Sequence, residues 1–152
     1  MHSQGKIAYF TDESEEETPE FIDVKAIQAR CSKVGDGKDA YPIFNKLGLG
    51  LGPSFQVLQE VYKNDEEMFG IMKVPDVCLE QFQDFILHPS ILDGAGQTVM
   101  ASHLLAATDD SGGMVVPYSF GEVQILNPLT ETCYSYIQKV NDPKSKLSKA
   151  NL

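Results

Sequence analysis

Asp93 and Gln97 are the two residues whose types and spacing point to chemistry. Four residues apart on a helix, they lie one turn apart on the same face. A carboxyl on an otherwise apolar helix is costly unless it is paired or put to use. Its neutral form can give a proton to a leaving group, and an apolar pocket favours that form. An amide one turn on can hydrogen-bond the carboxyl and hold its rotamer. Gly94 and Gly96 flank the acid where alanine would make a better helix. Glycine there predicts the close approach of another backbone or a substrate. An aspartate in a first helical turn also favours the helix dipole without any chemical role. The pair therefore takes its meaning from the elements around it.

The stretch His88–Leu105, HPSILDGAGQTVMASHLL, must position the pair. Proline is at home in the first helical position, so the spacing predicts a helix starting just after Pro89. Ile91, Leu92, Ala95, Val99, Met100, Ala101, Leu104 and Leu105 cover most of its circumference. A helix apolar nearly all round is a buried helix.

Short elements surround it. Lys6–Phe10 reads as a strand and Thr11–Glu20, rich in acid, as a solvated linker. Asp23–Cys31 reads as a short helix with Asp23 as N-cap and Val24, Ala26 and Ile27 turned inward. Gly35 and Gly37 suggest a loop, and Ala40–Leu47 a second helix. GLGLGP, residues 48–53, lacks the lysine of a phosphate loop. It reads either as a chain reversal or as backbone lying beside a substrate. Phe55–Tyr62 and Met68–Val74 read as a hairpin about Asn64 and Asp65, and Gln81–Leu87 leads into the long helix. Asp109–Gly113 reads as a loop. Met114–Tyr118, Gly121–Leu126 and Thr132–Val140 read as strands, and the lysine-rich stretch from Asn141 shows no pattern. Short strands around one long buried helix make an α+β fold.

Composition narrows the function. The net charge is −10 and Arg30 is the one arginine among 152 residues. Both argue against nucleic acid or an anionic membrane surface as partner. No apolar run is long enough to span a bilayer and no signal peptide is read, so the expected location is cytoplasmic. Cys31, Cys78 and Cys133 are dispersed and form no CxxC pair, which fits reduced thiols. The three histidines are scattered, and no metal site is expected.

HPSILDGAGQ resembles the HPxxLDxxxQ segment of the dehydratase domains of modular polyketide synthases. Three further segments agree in order. YPIFNKLGLGLGPSFQ, Tyr41–Gln56, is similar to the family's Y…F…GxxYGPxFQ stretch. VPYSFGEV, Val116–Val123, resembles LPFSWxGV, and HSQGKI, His2–Ile7, resembles the HAxGxV strand that closes the family's first half. The resemblance covers about Met1 to Tyr136. It implies a hotdog fold, an antiparallel sheet wrapped around a central helix, as the second half of a double hotdog. Residues 1–10 would end the first half, 11–22 would be the acidic linker, and 23–152 the C-terminal hotdog, cut short of its last hairpin.

The implied reaction removes water from a 3-hydroxyacyl thioester and leaves the α,β-unsaturated thioester. It needs a base for the α-proton and an acid for the hydroxyl. In the family the base is a histidine of the first half, within HxxxGxxxxP, and that motif occurs nowhere in this sequence. Carried over, Asp93 is the acid and Gln97 its partner, with Gly52, Pro53, Phe55, Pro117 and Tyr118 lining the substrate. His88 would serve a turn before the helix, and His103 would be a packed or surface residue. Leu51 stands where the family more often has tyrosine, Tyr118 replaces phenylalanine, and Phe120 replaces tryptophan. No cofactor is implied beyond the phosphopantetheine arm of an acyl carrier protein. That protein, the N-terminal hotdog half and a homodimer through the synthase are the implied partners, and the chain without the first half is expected to be inactive. Other readings are an isomerase or cyclase of the same fold, a non-catalytic structural module, and a single-hotdog thioesterase. Asp93 counts against the isomerase or cyclase, whose members are expected to lack or replace it.

Overall fold

The computed structural model describes residues 4–9, 22–107, 117–140 and 149–151. Among these residues five strands pair in sequence order as an antiparallel meander: β1 (Ser32–Asp36), β2 (Leu58–Lys63), β3 (Glu67–Lys73), β4 (Thr132–Val140) and β5 (Lys149–Asn151). Helix α1 (Val24–Arg30) precedes β1, α2 (Gly37–Lys46) follows it, and α3 (Pro89–Leu104) lies between β3 and β4. Short 3₁₀ turns form at Pro53–Phe55, Asp76–Cys78 and Phe82–Asp84.

The sheet is covered on both faces, and β3 shows why. Successive side chains alternate across a strand. Met72 and Gly70 of β3 face α3, while Phe69 packs with Ile27 and Cys31 at the other face, where α1 lies. Two glycines set the helix–sheet distance. A Cβ at Gly94 would sit 2.4 Å from Val57 Cγ2 and 2.8 Å from Met72 Sδ. A Cβ at Gly70 would sit 2.3 Å from Thr98 Oγ1. The close approach beside Asp93 is to the side chains of Val57 and Met72, not to the backbone or substrate expected there. The main core between α2, α3 and the sheet includes Ala40, Phe44, Val57, Val61, Met72, Ile91 and Ala101.

The ends of the helices are set locally. Asp23 Oδ1 accepts the Ala26 N–H at 3.0 Å and starts α1. Ile27 of α1 is buried and Val24 half-buried, but Ala26 is exposed. Pro89 opens α3, and His88 caps it, its Nδ1 accepting the Ser90 N–H at 3.2 Å. The buried His88 ring packs between Phe82 and Phe85. His88 thus serves the turn before the helix.

Several expectations are corrected. Residues 4–9 form no strand, and Ile7 and Tyr9 are exposed. The glycines at 35 and 37 do not make a loop. Gly35 lies in β1 at an irregularity in its pairing with β2, and Gly37 opens α2. Gly37 leaves no room for a side chain, since a Cβ would meet the Leu58 carbonyl oxygen at 2.0 Å, and a Cβ at Gly35 would press on the Leu105 side chain at 3.1 Å. The hairpin forms, but Pro53–Phe55 is a 3₁₀ turn and β2 begins at Leu58. Residues 117–126 carry apolar alternation yet form no strand, and none of the described strands pairs with them. Lys149–Asn151 is a strand despite its polar sequence, since pairing with β4 supplies its backbone partners. Helix α3 is not buried all round: Asp93 and His103 are exposed, and Leu92, Gly96 and Val99 are half-buried. Residues 10–21, 108–116 and 141–148, which include the acidic linker, the Asp109–Gly113 loop and Met114–Val116, lie outside the described residues.

Candidate active site

Helix α2 brings the third member of the site to α3. Ala40 and Phe44 are fully buried, and Tyr41 stands against Phe44 edge to face, with ring centroids 5.8 Å apart. That places the Tyr41 hydroxyl at the start of β2, where it accepts the Leu58 N–H at 2.8 Å. Its own proton goes to Gln97 Oε1, at 3.2 Å. The Gln97 amide nitrogen donates to Asp93 Oδ2 at 2.7 Å and to the Phe55 carbonyl at 2.8 Å. The chemistry of the partners assigns the amide orientation: a carboxylate oxygen and a backbone carbonyl are acceptors and require the NH₂ side. Gln97 is only 3% exposed, and its polar atoms are all engaged.

Electrostatics fit this assignment. Burial pushes the Tyr41 phenol up to about 12, against the opposing effect of the Leu58 N–H, and the nearby Asp93 charge adds to the rise. The phenol is therefore a neutral donor throughout the physiological range. Asp93 is anchored through Oδ2, and among the described residues nothing hydrogen-bonds its Oδ1. The apolar pocket expected around the acid is not supplied by the described residues, which leave Asp93 exposed. Burial of this carboxyl requires a further surface.

The sequence-expected residues divide into two groups. Asp93, Gln97 and Phe55 meet, but Phe55 contributes its backbone carbonyl while its ring lies at the surface. Gly52 and Pro53 are exposed and lead into the same 3₁₀ turn. Pro117 lies over the open side of α3, its Cγ 3.4 Å from where a Gly96 Cβ would be. Tyr118 is 84% exposed and, among the described residues, makes no side-chain hydrogen bond to these groups. Leu51 packs against the core, and its carbonyl accepts the Gln56 side-chain amide at 2.9 Å. His103 is exposed toward the far end of α3. Tyr41 was missed as a site residue. Its signal was present at the head of the Tyr41–Gln56 stretch, but nothing local shows that it reaches a residue 56 positions away. An open groove lined by Asp36, Lys38, Tyr41, Gln56 and Glu60 runs along the outer side of Tyr41. Among the described residues, no helix is long and apolar enough to cross a membrane.

Residues 20–150 match the family model described as "Polyketide synthase dehydratase N-terminal domain". The chain belongs to the polyketide synthase dehydratase family. It is 27% identical over 150 residues to "Polyketide synthase PksM" of Bacillus subtilis (strain 168), an alignment covering 96% of this chain and 3% of the relative. The solved dehydratase domain from the CurJ module of curacin polyketide synthase is 27% identical with a TM-score of 0.64, over 82% of this chain and 43% of that one. A trans-AT polyketide synthase dehydratase domain from Brevibacillus brevis, 22% identical, has a TM-score of 0.69 over 85% and 44% of the two chains. The fold is the α+β hotdog of these dehydratases, with the antiparallel sheet around α3. The chain spans less than half of these solved domains and a few per cent of the synthase.

Proposed function

We propose that this chain is the acid-bearing, C-terminal hotdog half of a polyketide synthase dehydratase, in which Asp93 protonates the leaving hydroxyl of a 3-hydroxyacyl thioester. The observation that carries this reading is the Asp93 carboxyl, tied down at Oδ2 by Gln97 and, among the described residues, without a hydrogen bond at Oδ1. A proton on Oδ1 passes to the β-hydroxyl, the C–O bond breaks, and water leaves. A base removes the α-proton, and the electron pair of that C–H bond becomes the new double bond. Asp93 is left as a carboxylate, which Gln97 stabilises. Water then carries the proton from the base back to the acid.

The base is assigned to a histidine of the N-terminal half, since HxxxGxxxxP is missing from these residues. The matching family model carries the words "N-terminal domain" in its description, so the C-terminal assignment rests on the HPSILDGAGQ motif and on Asp93 and Gln97. The exposure of Asp93 supports a covering partner, because an acid of this kind works best out of water. We assign that cover to the first hotdog half. The proposed substrate rides on the phosphopantetheine arm of an acyl carrier protein, with Gly52, Pro53, Phe55, Pro117 and Tyr118 along its path. The acid–base pair suffices for the elimination, so no further cofactor is proposed, and the synthase would bring two copies together as a homodimer.

The experiment is Asp93→Asn in the full-length protein. Asparagine keeps the shape and an acceptor for Gln97 but has no proton of comparable acidity. Dehydration of a 3-hydroxyacyl thioester should fall by about 10²-fold or more, the scale of general-acid catalysis, at unchanged thermal stability. Unchanged turnover would refute the role.

A further inference from the structure

The amide that holds Asp93 is itself held, and Tyr41 holds it. The Leu58 N–H donates to the Tyr41 hydroxyl, the hydroxyl donates to Gln97 Oε1, and the far side of the same amide donates to Asp93. We infer that Tyr41 is a positioning residue for the acid, its hydroxyl orienting and polarising Gln97 so that the amide nitrogen is presented to Asp93 Oδ2. This rests on reading Asp93 as the general acid.

The physical case lies in the direction of the chain. Each of these three bonds points its donor toward Asp93, while the second Gln97 N–H fixes the amide on the Phe55 carbonyl, and aligned hydrogen bonds polarise one another. Donation to a carboxyl oxygen favours the charged form. That form develops as Asp93 gives up its proton, so donors fixed beforehand lower the barrier. The relay crosses three elements: the first residue of β2, the inner flank of α2 and the middle of α3. A purely structural Tyr41 would need only to accept the Leu58 N–H. Its proton instead goes to Gln97, across the interface between two helices. Burial keeps the phenol protonated and available as that donor.

The test uses the full-length protein and the 3-hydroxybutyryl thioester of N-acetylcysteamine as probe. Tyr41→Phe removes only the hydroxyl, and kcat should fall about 3- to 10-fold, the weight of one hydrogen bond. KM should stay within about twofold, because Tyr41 acts through Gln97 and not on the substrate. In a Gln97→Leu background the same substitution should leave kcat unchanged, since the link is already cut. Placing 3-fluorotyrosine at position 41 keeps the hydroxyl and the packing, and makes it a stronger donor, so kcat should rise. That reversal of sign is not expected of a structural role, and it remains readable should Tyr41→Phe fail to fold. A full effect of Tyr41→Phe in the Gln97→Leu background, or a kcat that does not rise with 3-fluorotyrosine, would overturn the inference. If Asp93→Asn is inactive while these variants behave as wild type, only the role of Tyr41 falls. If Asp93→Asn is active, the acid assignment falls first.

Discussion

Replacing Gln97 by leucine removes the centre of the network at nearly constant volume. Three hydrogen bonds disappear, at 3.2, 2.7 and 2.8 Å. Each is worth about 0.5–1.5 kcal/mol net, and a partner left unsatisfied away from water costs about 1–3 kcal/mol. The orphans are unequal. Asp93 is exposed and Tyr41 borders an open groove, so water recovers part of their loss. The Phe55 carbonyl lies against α3 and recovers less. The gross loss is then about 3–4 kcal/mol. Burying leucine in a site that is 3% exposed returns about 1–2 kcal/mol. Gln97→Leu should therefore destabilise the fold by about 1–3 kcal/mol. Urea unfolding followed by far-UV circular dichroism reads this as a lower midpoint at unchanged m-value. Thermal unfolding should drop by about 2–10 °C, the scaling for chains of this size. A change below about 0.5 kcal/mol, or a gain in stability, would refute the reasoning: the amide would then be a tolerated polar group, not a held one.

Two further outcomes follow from the same geometry. Gly94→Ala should cost about 1–3 kcal/mol, the range for overpacking, because its Cβ would lie 2.4 Å from Val57 and 2.8 Å from Met72. An unchanged unfolding midpoint would mean that α3 can lift off the sheet freely. The second outcome concerns pH. Glu67 is held down to about 2 from an ordinary 4.5, first by its hydrogen bond from Arg30 and next by that from Tyr136. A carboxylate lowered in the folded state stabilises above its unfolded pKa, and that stability is lost as pH falls from about 4.5 toward 2. The full shift would be worth about 3 kcal/mol. Arg30 is 45% exposed, so solvent screening reduces this to about 1–2 kcal/mol. Unfolding free energies between pH 5 and pH 2 should fall more steeply for the wild type than for Glu67→Gln, and parallel curves would remove the ion pair from the account.

The central helix was legible because its signals are local. Pro89 and the four-residue spacing of Asp93 and Gln97 act within one or two turns, and their geometry is the same in any fold that makes the helix. The hairpin of β2 and β3 was legible for a similar reason, from a turn at Asn64 and Asp65 between apolar runs. Glycine beside the acid announced a close approach, but not to what. The same local signals failed between residues 117 and 126, where apolar alternation met no strand among the described residues. They failed again at Lys149–Asn151, where polar residues are held by β4.

By itself, then, the amino-acid order determined the helix, its start at Pro89 and the pairing of an acid with an amide one turn away, because backbone geometry alone brings those atoms together. Only tertiary structure decided that Tyr41 and the Phe55 carbonyl, 56 and 42 residues distant from Gln97, complete its hydrogen bonds. Only tertiary structure decided, too, that Asp93 faces outward. Both depend on how α2, the Pro53–Phe55 turn and the sheet pack against α3, and packing is a property of surfaces meeting across the chain, not of any one segment.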